Sequence, residues 1–258
     1  MNVLYAGSLE SVMNKRVAPA FQNATGYSFA GFPAGSKDLA NEIKGKVRQG
    51  DVFISAWPKV NAKLTGAANG DWVSWYAPFA STSLVIGYNP SSSFARALKK
   101  GPWDKVVSRS GFRIGLTDPK LDPKGVLAVA ALKQAASTDH RPALTRIATN
   151  QSNLFPEQDL VGRLQAGQLD AGFFYTVEAN AARIPTVTLA PIHEQATYTI
   201  TILNRAPNAA GATAFVRFLL GSQGQALLRK VGLVLTATPA AVGTGVPSGV
   251  SQVIEASQ

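Results

Sequence analysis

The sequence predicts an α/β fold in which each of two lobes is a mostly parallel sheet flanked by helices. Short apolar runs alternate with stretches of helical periodicity, which is typical of β-α units. The strand-like runs are Val3–Ala6, Tyr27–Phe32, Asp51–Ser55, Ser83–Tyr88, Arg113–Leu116, Ala171–Tyr175, Thr186–Leu189 and Tyr198–Leu203. The helix-like stretches are Leu9–Gln22, Lys37–Gln49, Val126–Ala136, Gln158–Ala166, Val177–Ala182 and Ala209–Val231. With 258 residues and 46% hydrophobic content, the chain can bury a sizeable core.

Two segments, Phe79–Asn89 and Tyr198–Leu203, are typical of crossings between lobes. A chain that leaves one lobe, builds another and returns forms a hinge of two strands, and closing such a hinge around a ligand is a known domain motion. We therefore expect a ligand cleft between the lobes. Lobe 1 is predicted to hold residues 1–79 and 198–258, and lobe 2 residues 80–197. The tail from Thr236 is expected to pack over the first lobe or to fray.

The amino-acid composition and the first residues restrict the cellular compartments in which the protein is expected. The chain has no cysteine, which excludes disulfides and thiolate chemistry and is compatible with an oxidising compartment. No run approaches the roughly 18 apolar residues of a membrane span. The first strand-like run begins within two residues of Met1, so no signal peptide is expected in the sequence as given. Either the protein is cytoplasmic or this is a mature segment with an added methionine, and the sequence alone does not separate the two.

The formal net charge of +10 is compatible with an anionic partner. The lysines and arginines are scattered, however, and no long basic run interleaved with aromatic residues is present, so nucleic-acid binding is not predicted. The basic residues either draw anions towards the protein or form an ordinary solvated surface.

Catalytic residue types are scarce. His140 and His193 are the only histidines, and neither belongs to a motif. The sequence contains no HExxH pair, no GxxxxGK[ST] loop and no GxGxxG loop, and Gly7-Ser8 is not part of a GxSxG elbow. We therefore predict a binding protein with no catalytic residue, no cofactor and no site for a free metal cation.

Two Gly-Ser turns are the candidate site. Gly7-Ser8 and Gly35-Ser36 each end an apolar run and open a segment of helical periodicity. Such a turn places a hydroxyl and free backbone N–H groups at a helix N-terminus, where anions bind. One such turn is common, but two in consecutive β-α units indicate a shared ligand. The alternative for each serine is a helix N-cap.

Two later segments extend this candidate site. The segment Gly115–Gly125 joins a strand to a helix, and Pro123 and Gly125 leave backbone N–H groups exposed at the turn. Tyr175 ends an apolar strand and is expected to point its hydroxyl into the same cleft. The alternatives are an ordinary strand–helix joint and a tyrosine half-buried in the core.

Five motifs in order make the chain resemble the molybdate/tungstate-binding proteins of ABC importers, over a stretch from Val3 to about Leu233. They are AGSLES (6–11), FPAGSKDLA (32–40), DVFISA (51–56), TDPKLDPKG (117–125) and GFFYTVEA (172–179). The resemblance implies the type II periplasmic solute-binding fold. It also implies capture of a tetrahedral oxyanion, first molybdate or tungstate and otherwise sulfate or another oxyanion. It implies a monomer that is periplasmic or otherwise extracytoplasmic and is tethered to the cell surface. Such a protein delivers its ligand to an ABC permease.

The resemblance also implies which groups hold the oxyanion. The hydroxyls are those of Ser8, Ser36 and Tyr175, and backbone N–H donors come from both serines, from the turn around Lys124 and from the turn near Glu157. A buried dianion without a counter-charge needs many neutral donors, and helix N-termini add a favourable field.

The chain departs from the archaeal branch of this family, in which two carboxylates complete a six-coordinate metal. Asp122 stands at the first of these positions, whereas Phe174 replaces the second acid. We therefore predict four-coordinate binding, with Asp122 a helix-start residue. Glu157 and Glu178 lie nearby in the sequence and keep the six-coordinate alternative open.

Two other functions remain as alternatives. An enzyme on the same scaffold is disfavoured because no base lies in sequence beside Ser8 or Tyr175. A cytoplasmic ligand-sensing domain of a regulator is favoured only by the missing signal segment. It is disfavoured because the sequence shows no DNA-binding helix-turn-helix.

Overall fold

The computed structural model of the chain describes residues 1–138, 140–237 and 240–255, and it confirms the predicted α/β fold class. The contacts divide these residues into two compact units. Unit 1 comprises Met1–Ser81 and the segment from Thr197 onward, and unit 2 comprises Thr82–Ala196. Within the described ranges, no helix is both long and apolar enough to cross a membrane.

The strands are β1 (Asn2–Ala6), β2 (Ala30–Ala34), β3 (Val52–Ser55), β4 (Trp75–Tyr88), β5 (Ile114–Thr117), β6 (Leu154–Phe155), β7 (Ala171–Tyr175), β8 (Thr186–Thr188), β9 (Gln195–Ile202), β10 (Val234–Leu235) and β11 (Val242–Gly243). The helices are α1 (Glu10–Val12), α2 (Ala18–Thr25), α3 (Ser36–Lys44), α4 (Pro58–Asn61), α5 (Ala95–Lys100), α6 (Trp103–Val107), α7 (Pro123–Thr138), α8 (Pro142–Thr149), α9 (Glu157–Gln165), α10 (Thr176–Ala182), α11 (Ala209–Leu220), α12 (Ser222–Lys230) and α13 (Ser248–Glu255). Short 3₁₀ turns lie at Gly7–Leu9, Ala67–Asn69 and Gln151–Asn153, and a π-helical turn at Met13–Val17 joins α1 to α2.

Unit 1 is built on three parallel strands in the order β2-β1-β3. β9 pairs with β3 in the antiparallel sense, and the first part of β4 pairs with β10 and β11. The helix α3 buries Leu39, Ala40 and Ile43 against this sheet, together with Leu4 and Phe53. Apolar residues at this spacing share one helix face, so burial of that face positions the start of α3 at the end of the sheet.

Unit 2 contains a second parallel set, β6-β5-β7, to which β4 adds in the antiparallel sense. β8 also pairs with β4. The helix α9 buries Leu160 and Leu164 against Phe174 of β7. Because β5, β6 and β7 are parallel, their carboxyl ends lie at one edge of this sheet.

The structure corrects several predicted element boundaries. The helix predicted over Lys37–Gln49 ends at Lys44, because the chain turns at Gly45 and continues through Lys46 with a positive φ of 57°. The single helix predicted over Ala209–Val231 is two helices, separated by Gly221 in an extended conformation with ψ of 173°. The strand predicted at Tyr27–Phe32 lies at Ala30–Ala34 instead, because its register with β1 pairs Ala30 with Asn2.

The described part of the tail packs within unit 1 rather than fraying. The helix α13 lies against α11 and buries Val250 and Ile254. This apolar contact stabilises the C-terminal segment on the same unit as the first strand.

Candidate functional site

The two predicted serines lie at the same edge of the sheet in unit 1. Ala6 pairs with Ala34 across the parallel strands β1 and β2, and Ser8 and Ser36 each follow two residues later. β3 ends beside β1, at Ser55. The structure therefore brings the two Gly-Ser turns together at the carboxyl ends of neighbouring strands, where α/β sheets bind ligands.

Ser8 is buried in the 3₁₀ turn Gly7–Leu9, and its hydroxyl lies 2.8 Å from the hydroxyl of Tyr198 on β9. Tyr198 is fully buried, with its ring 6.3 Å from that of Phe79. No sequence motif pointed to Tyr198. The available signal was a tyrosine within the strand-like run Tyr198–Leu203, since a buried hydroxyl requires a hydrogen-bond partner.

Ser36 is the first residue of α3 and is also buried. Its Oγ accepts a hydrogen bond of 3.0 Å from the backbone N–H of Ala56, the residue after β3. The turn is held by Ser55, whose hydroxyl donates to the Trp57 carbonyl at 2.9 Å and accepts the Trp57 N–H at 3.1 Å. A serine hydroxyl has one proton and two lone pairs, so accepting from Ala56 leaves the Ser36 proton available for donation.

Two lysines lie close to this edge of unit 1. The ammonium groups of Lys37 and Lys59 are 5.6 Å and 5.2 Å from the centre of the Trp57 ring, which is within cation–π range. Lys37 directly follows Ser36, so two positive charges lie near the start of α3. No motif in the sequence indicated this arrangement.

The remaining predicted residues come together in unit 2. Asp122 and Lys124 follow β5, Glu157 follows β6, and Tyr175 ends β7. Since these three strands are parallel, all four residues lie at the carboxyl edge of the unit 2 sheet. Glu178, in the first turn of α10, joins them.

Lys124, which is fully buried, forms the centre of a buried charge cluster. Its ammonium lies 2.8 Å and 3.0 Å from the two carboxylate oxygens of Glu178, and 3.4 Å from Glu157. Its backbone N–H donates to Asp122 at 2.5 Å, which gives Asp122 the helix-start position predicted for it. An oxyanion that accepted this N–H would have to displace the Asp122 carboxylate. We call Asp122, Lys124, Glu157 and Glu178 the buried charge cluster.

One lysine cannot neutralise three buried carboxylates, so the pKa values of the carboxyl groups in the buried charge cluster are raised. Burial, together with the charge of Asp122, raises the pKa of Glu157 well above its usual range. Burial also raises the pKa values of Asp122 and Glu178. Burial alone would lower the pKa of Lys124, but the surrounding carboxylates outweigh it and the pKa is raised. Asp122 and Glu157 lie within hydrogen-bonding reach of each other, so we infer that these two carboxyl groups share a proton.

Tyr175 is fully buried at the end of β7. Its ring centre is 5.8 Å from the Lys124 ammonium, and its backbone N–H donates to Glu178 at 3.4 Å. This tyrosine therefore belongs to the same edge as the buried charge cluster.

Gly125 holds α7 against the end of β5. A Cβ at this position would lie 2.2 Å from the carbonyl oxygen of Thr117, a backbone atom that has no room to move. Only glycine permits this close approach, which explains the glycine at the end of the TDPKLDPKG motif.

Comparisons with known proteins agree with this architecture. Residues 1–234 match the model of a family described as bacterial extracellular solute-binding protein. An uncharacterized solute-binding protein of Petrotoga mobilis is 29% identical over 89% of this chain and 82% of its own length. The molybdate/tungstate-binding protein WtpA of Pyrococcus abyssi is 24% identical over 72% of this chain and 69% of its own length. The solved periplasmic molybdate-binding protein of Azotobacter vinelandii aligns with a TM-score of 0.72 at 20% identity, covering 92% of this chain and 99% of that one. This likeness confirms the predicted periplasmic-binding-protein fold.

Proposed function

Because the chain belongs to the bacterial extracellular solute-binding protein family, we propose that it captures a tetrahedral oxyanion, molybdate or tungstate, and delivers it to an ABC permease. In this proposal the protein acts outside the cytoplasm, tethered to the cell surface, as a monomer without a cofactor and without catalysis. The observation that carries the proposal is the pair of buried serines, Ser8 and Ser36, at the ends of neighbouring parallel strands.

The chemistry of this edge suits a dianion. Ser36 has a hydroxyl proton to donate, and it opens the nine-residue helix α3, whose first N–H groups carry the positive end of the helix dipole. Ser8 adds a second buried hydroxyl from the adjacent β-α unit. Neutral donors of this kind stabilise a desolvated anion without fixing a permanent counter-charge beside it.

In unit 2, we propose that the Tyr175 hydroxyl and the backbone N–H groups at the start of α9 also bind oxyanion oxygens. The Lys124 N–H at the start of α7 donates to Asp122, so it joins them only if the anion displaces that carboxylate. The carboxylates of unit 2 favour four-coordinate over six-coordinate binding. Both oxygens of Glu178 pair with Lys124, and Asp122 accepts the Lys124 N–H. Phe174 is packed in the apolar core. A carboxylate already engaged in these contacts would have to break them in order to bind a metal.

The size of the ligand is expected to set selectivity. Molybdate and tungstate are larger than sulfate, and an anion that does not match the site leaves buried donors unpaired, at a cost of about 1–3 kcal/mol for each donor. We therefore propose molybdate or tungstate as the preferred ligand, in agreement with the name of the Pyrococcus relative.

Isothermal titration with molybdate, tungstate, sulfate and phosphate tests the proposal. We expect one-to-one binding of molybdate and tungstate that is tighter than that of sulfate. Ser8→Ala and Ser36→Ala are each expected to weaken binding by about 1–3 kcal/mol, because each leaves an oxyanion oxygen without its donor. Tyr175→Phe tests unit 2 in the same assay.

Ser110→Ala, at an exposed serine of unit 2, is the matched control and should bind as the wild type does. The proposed ligand class is wrong if none of the four anions binds, or if phosphate alone does. Unchanged affinity in Ser8→Ala and Ser36→Ala would remove these serines from the site.

The lysines around Trp57 are expected to accelerate ligand capture. Replacing Lys37 and Lys59 together by glutamine should slow molybdate association by up to about tenfold at low ionic strength, because two positive charges near the site attract the dianion. The difference should shrink at high salt, where the charges are screened. Stopped-flow fluorescence measures these rates.

The matched control replaces Lys99 and Lys100, exposed lysines of α5 in unit 2, by glutamine. Equal slowing in both double variants would mean that net charge alone, rather than the position of Lys37 and Lys59, governs the association rate.

A further inference from the structure

Tyr198 connects one of the two predicted serines to a distant strand. It follows Ser8 by 190 residues, yet the two hydroxyl oxygens are 2.8 Å apart and both side chains are buried. This contact depends on β9 returning to unit 1 and pairing with β3.

The end of the β3–β9 pair supports both predicted serines. Ser55 pairs with Thr199 in the antiparallel register, so the next residues in opposite directions are Ala56 and Tyr198. Ala56 donates its N–H to Ser36, and Tyr198 contacts Ser8. One end of one strand pair therefore contacts both serine hydroxyls of the proposed oxyanion site.

Because the Ser8 hydroxyl has only one proton, anion binding fixes which of Ser8 and Tyr198 donates in the hydrogen bond between them. A serine hydroxyl has a single proton, which Ser8 must donate to the anion if it is to bind it. In the contact between Ser8 and Tyr198, either oxygen can be the donor. Once Ser8 donates to an anion, its hydroxyl oxygen can only accept from Tyr198, and the phenol must supply the proton. A chain of two hydrogen bonds running from phenol to serine to anion polarises each member and strengthens both bonds.

We infer that Tyr198 is a positioning residue for oxyanion capture: it donates to Ser8 Oγ and thereby orients the Ser8 proton towards the bound anion. The inference rests on the proposed function. It assigns to Tyr198 a role in affinity that it exerts only through Ser8, without itself touching the ligand.

A double-mutant cycle of Tyr198→Phe and Ser8→Ala, with molybdate binding measured by isothermal titration, tests the inference. Tyr198→Phe removes only the hydroxyl, and we expect it to weaken binding about tenfold in the wild-type background. In the Ser8→Ala background the same substitution should have almost no effect on affinity, because the group through which Tyr198 acts is gone. A purely structural role would lower affinity by the same factor in both backgrounds or leave it unchanged in both.

Two further variants strengthen the test. Tyr88→Phe, at a buried tyrosine of β4 in unit 2, is the matched control and should leave affinity unchanged. Replacing Tyr198 by 3-fluorotyrosine keeps the ring and makes the phenol more acidic, so the affinity should rise if Tyr198 is the donor. This variant also provides a readout if Tyr198→Phe fails to fold.

The outcomes separate the inference from the proposed function. If the wild type binds no oxyanion, the proposed function fails and the inference fails with it. If the wild type binds and Ser8→Ala weakens binding, but Tyr198→Phe binds as tightly as the wild type, the inference alone is overturned. It is likewise overturned if Tyr198→Phe and Ser8→Ala act additively, or if 3-fluorotyrosine lowers the affinity.

Discussion

Replacing Lys124 by methionine is expected to lower the free energy of unfolding by about 3–5 kcal/mol, the cost of removing one partner from a buried ion pair. Methionine fills a similar volume but leaves Glu178 without the ammonium that both of its oxygens contact at 2.8 Å and 3.0 Å. Glu157 loses the same partner at 3.4 Å. Urea unfolding followed by circular dichroism measures the loss.

The matched control is Lys133→Met, at an exposed lysine of the same helix, α7. It should change the unfolding free energy by less than about 0.5 kcal/mol. The loss in Lys124→Met should also shrink in acid, where the unpaired carboxylates are protonated. If Lys124→Met is no less stable than Lys133→Met, the buried charge cluster does not depend on the lysine for its stability.

Replacing Glu157 by glutamine is expected to flatten the dependence of stability on pH. Burial and the neighbouring Asp122 raise the pKa of Glu157 in the folded protein, so the folded state holds this proton more tightly than the unfolded state does. The resulting stabilisation is fully present below the unfolded pKa of about 4.3 and is lost as pH rises through the folded pKa. Between these values the free energy of unfolding falls by up to about 1.4 kcal/mol per pH unit.

Glutamine imitates the protonated carboxyl group at every pH, because its amide N–H can donate to Asp122 as the carboxyl proton does. We therefore expect Glu157→Gln to be more stable than the wild type at neutral and alkaline pH. A smaller slope should persist, because the pKa values of Asp122 and Glu178 are also raised. Urea unfolding over a series of pH values provides the measurement.

Asp159→Asn is the control, since Asp159 lies on the same helix, α9, with an exposed carboxylate paired to Arg163. It should leave the slope unchanged. A wild-type stability that rises with pH through this window, or a Glu157→Gln variant with the wild-type slope, would contradict the shared proton between Asp122 and Glu157.

The fold class could be predicted from local patterns. Period-two and helical periodicities alternate along the chain, and the turns after the first two strands each contain Gly-Ser. Since consecutive parallel strands end at one edge, this was enough to predict that Ser8 and Ser36 lie close together, as the structure shows. Boundaries were less predictable: α3 ends at Lys44 because of the backbone turn at Gly45, although the sequence beyond remains compatible with helix.

Contacts between distant residues required the tertiary structure. Lys124 and Glu178 are 54 residues apart, and their ion pair depends on β5 and β7 lying side by side. The sequence placed Lys124 at a turn but did not indicate that its side chain is enclosed by three acids. Local periodicity specifies which face of an element is buried, whereas a buried charge needs partners supplied by whichever elements are packed beside it.

The α/β class, the two Gly-Ser turns and the family resemblance could all be read from the amino-acid sequence, because they depend on local periodicity, on short motifs and on the order of those motifs along the chain. Three contacts emerge only in the folded protein: Tyr198 with Ser8, Ala56 with Ser36, and Lys124 with Asp122, Glu157 and Glu178. The physical reason is that a buried polar group must find its partner in space, and strand pairing brings that partner from a distant part of the chain.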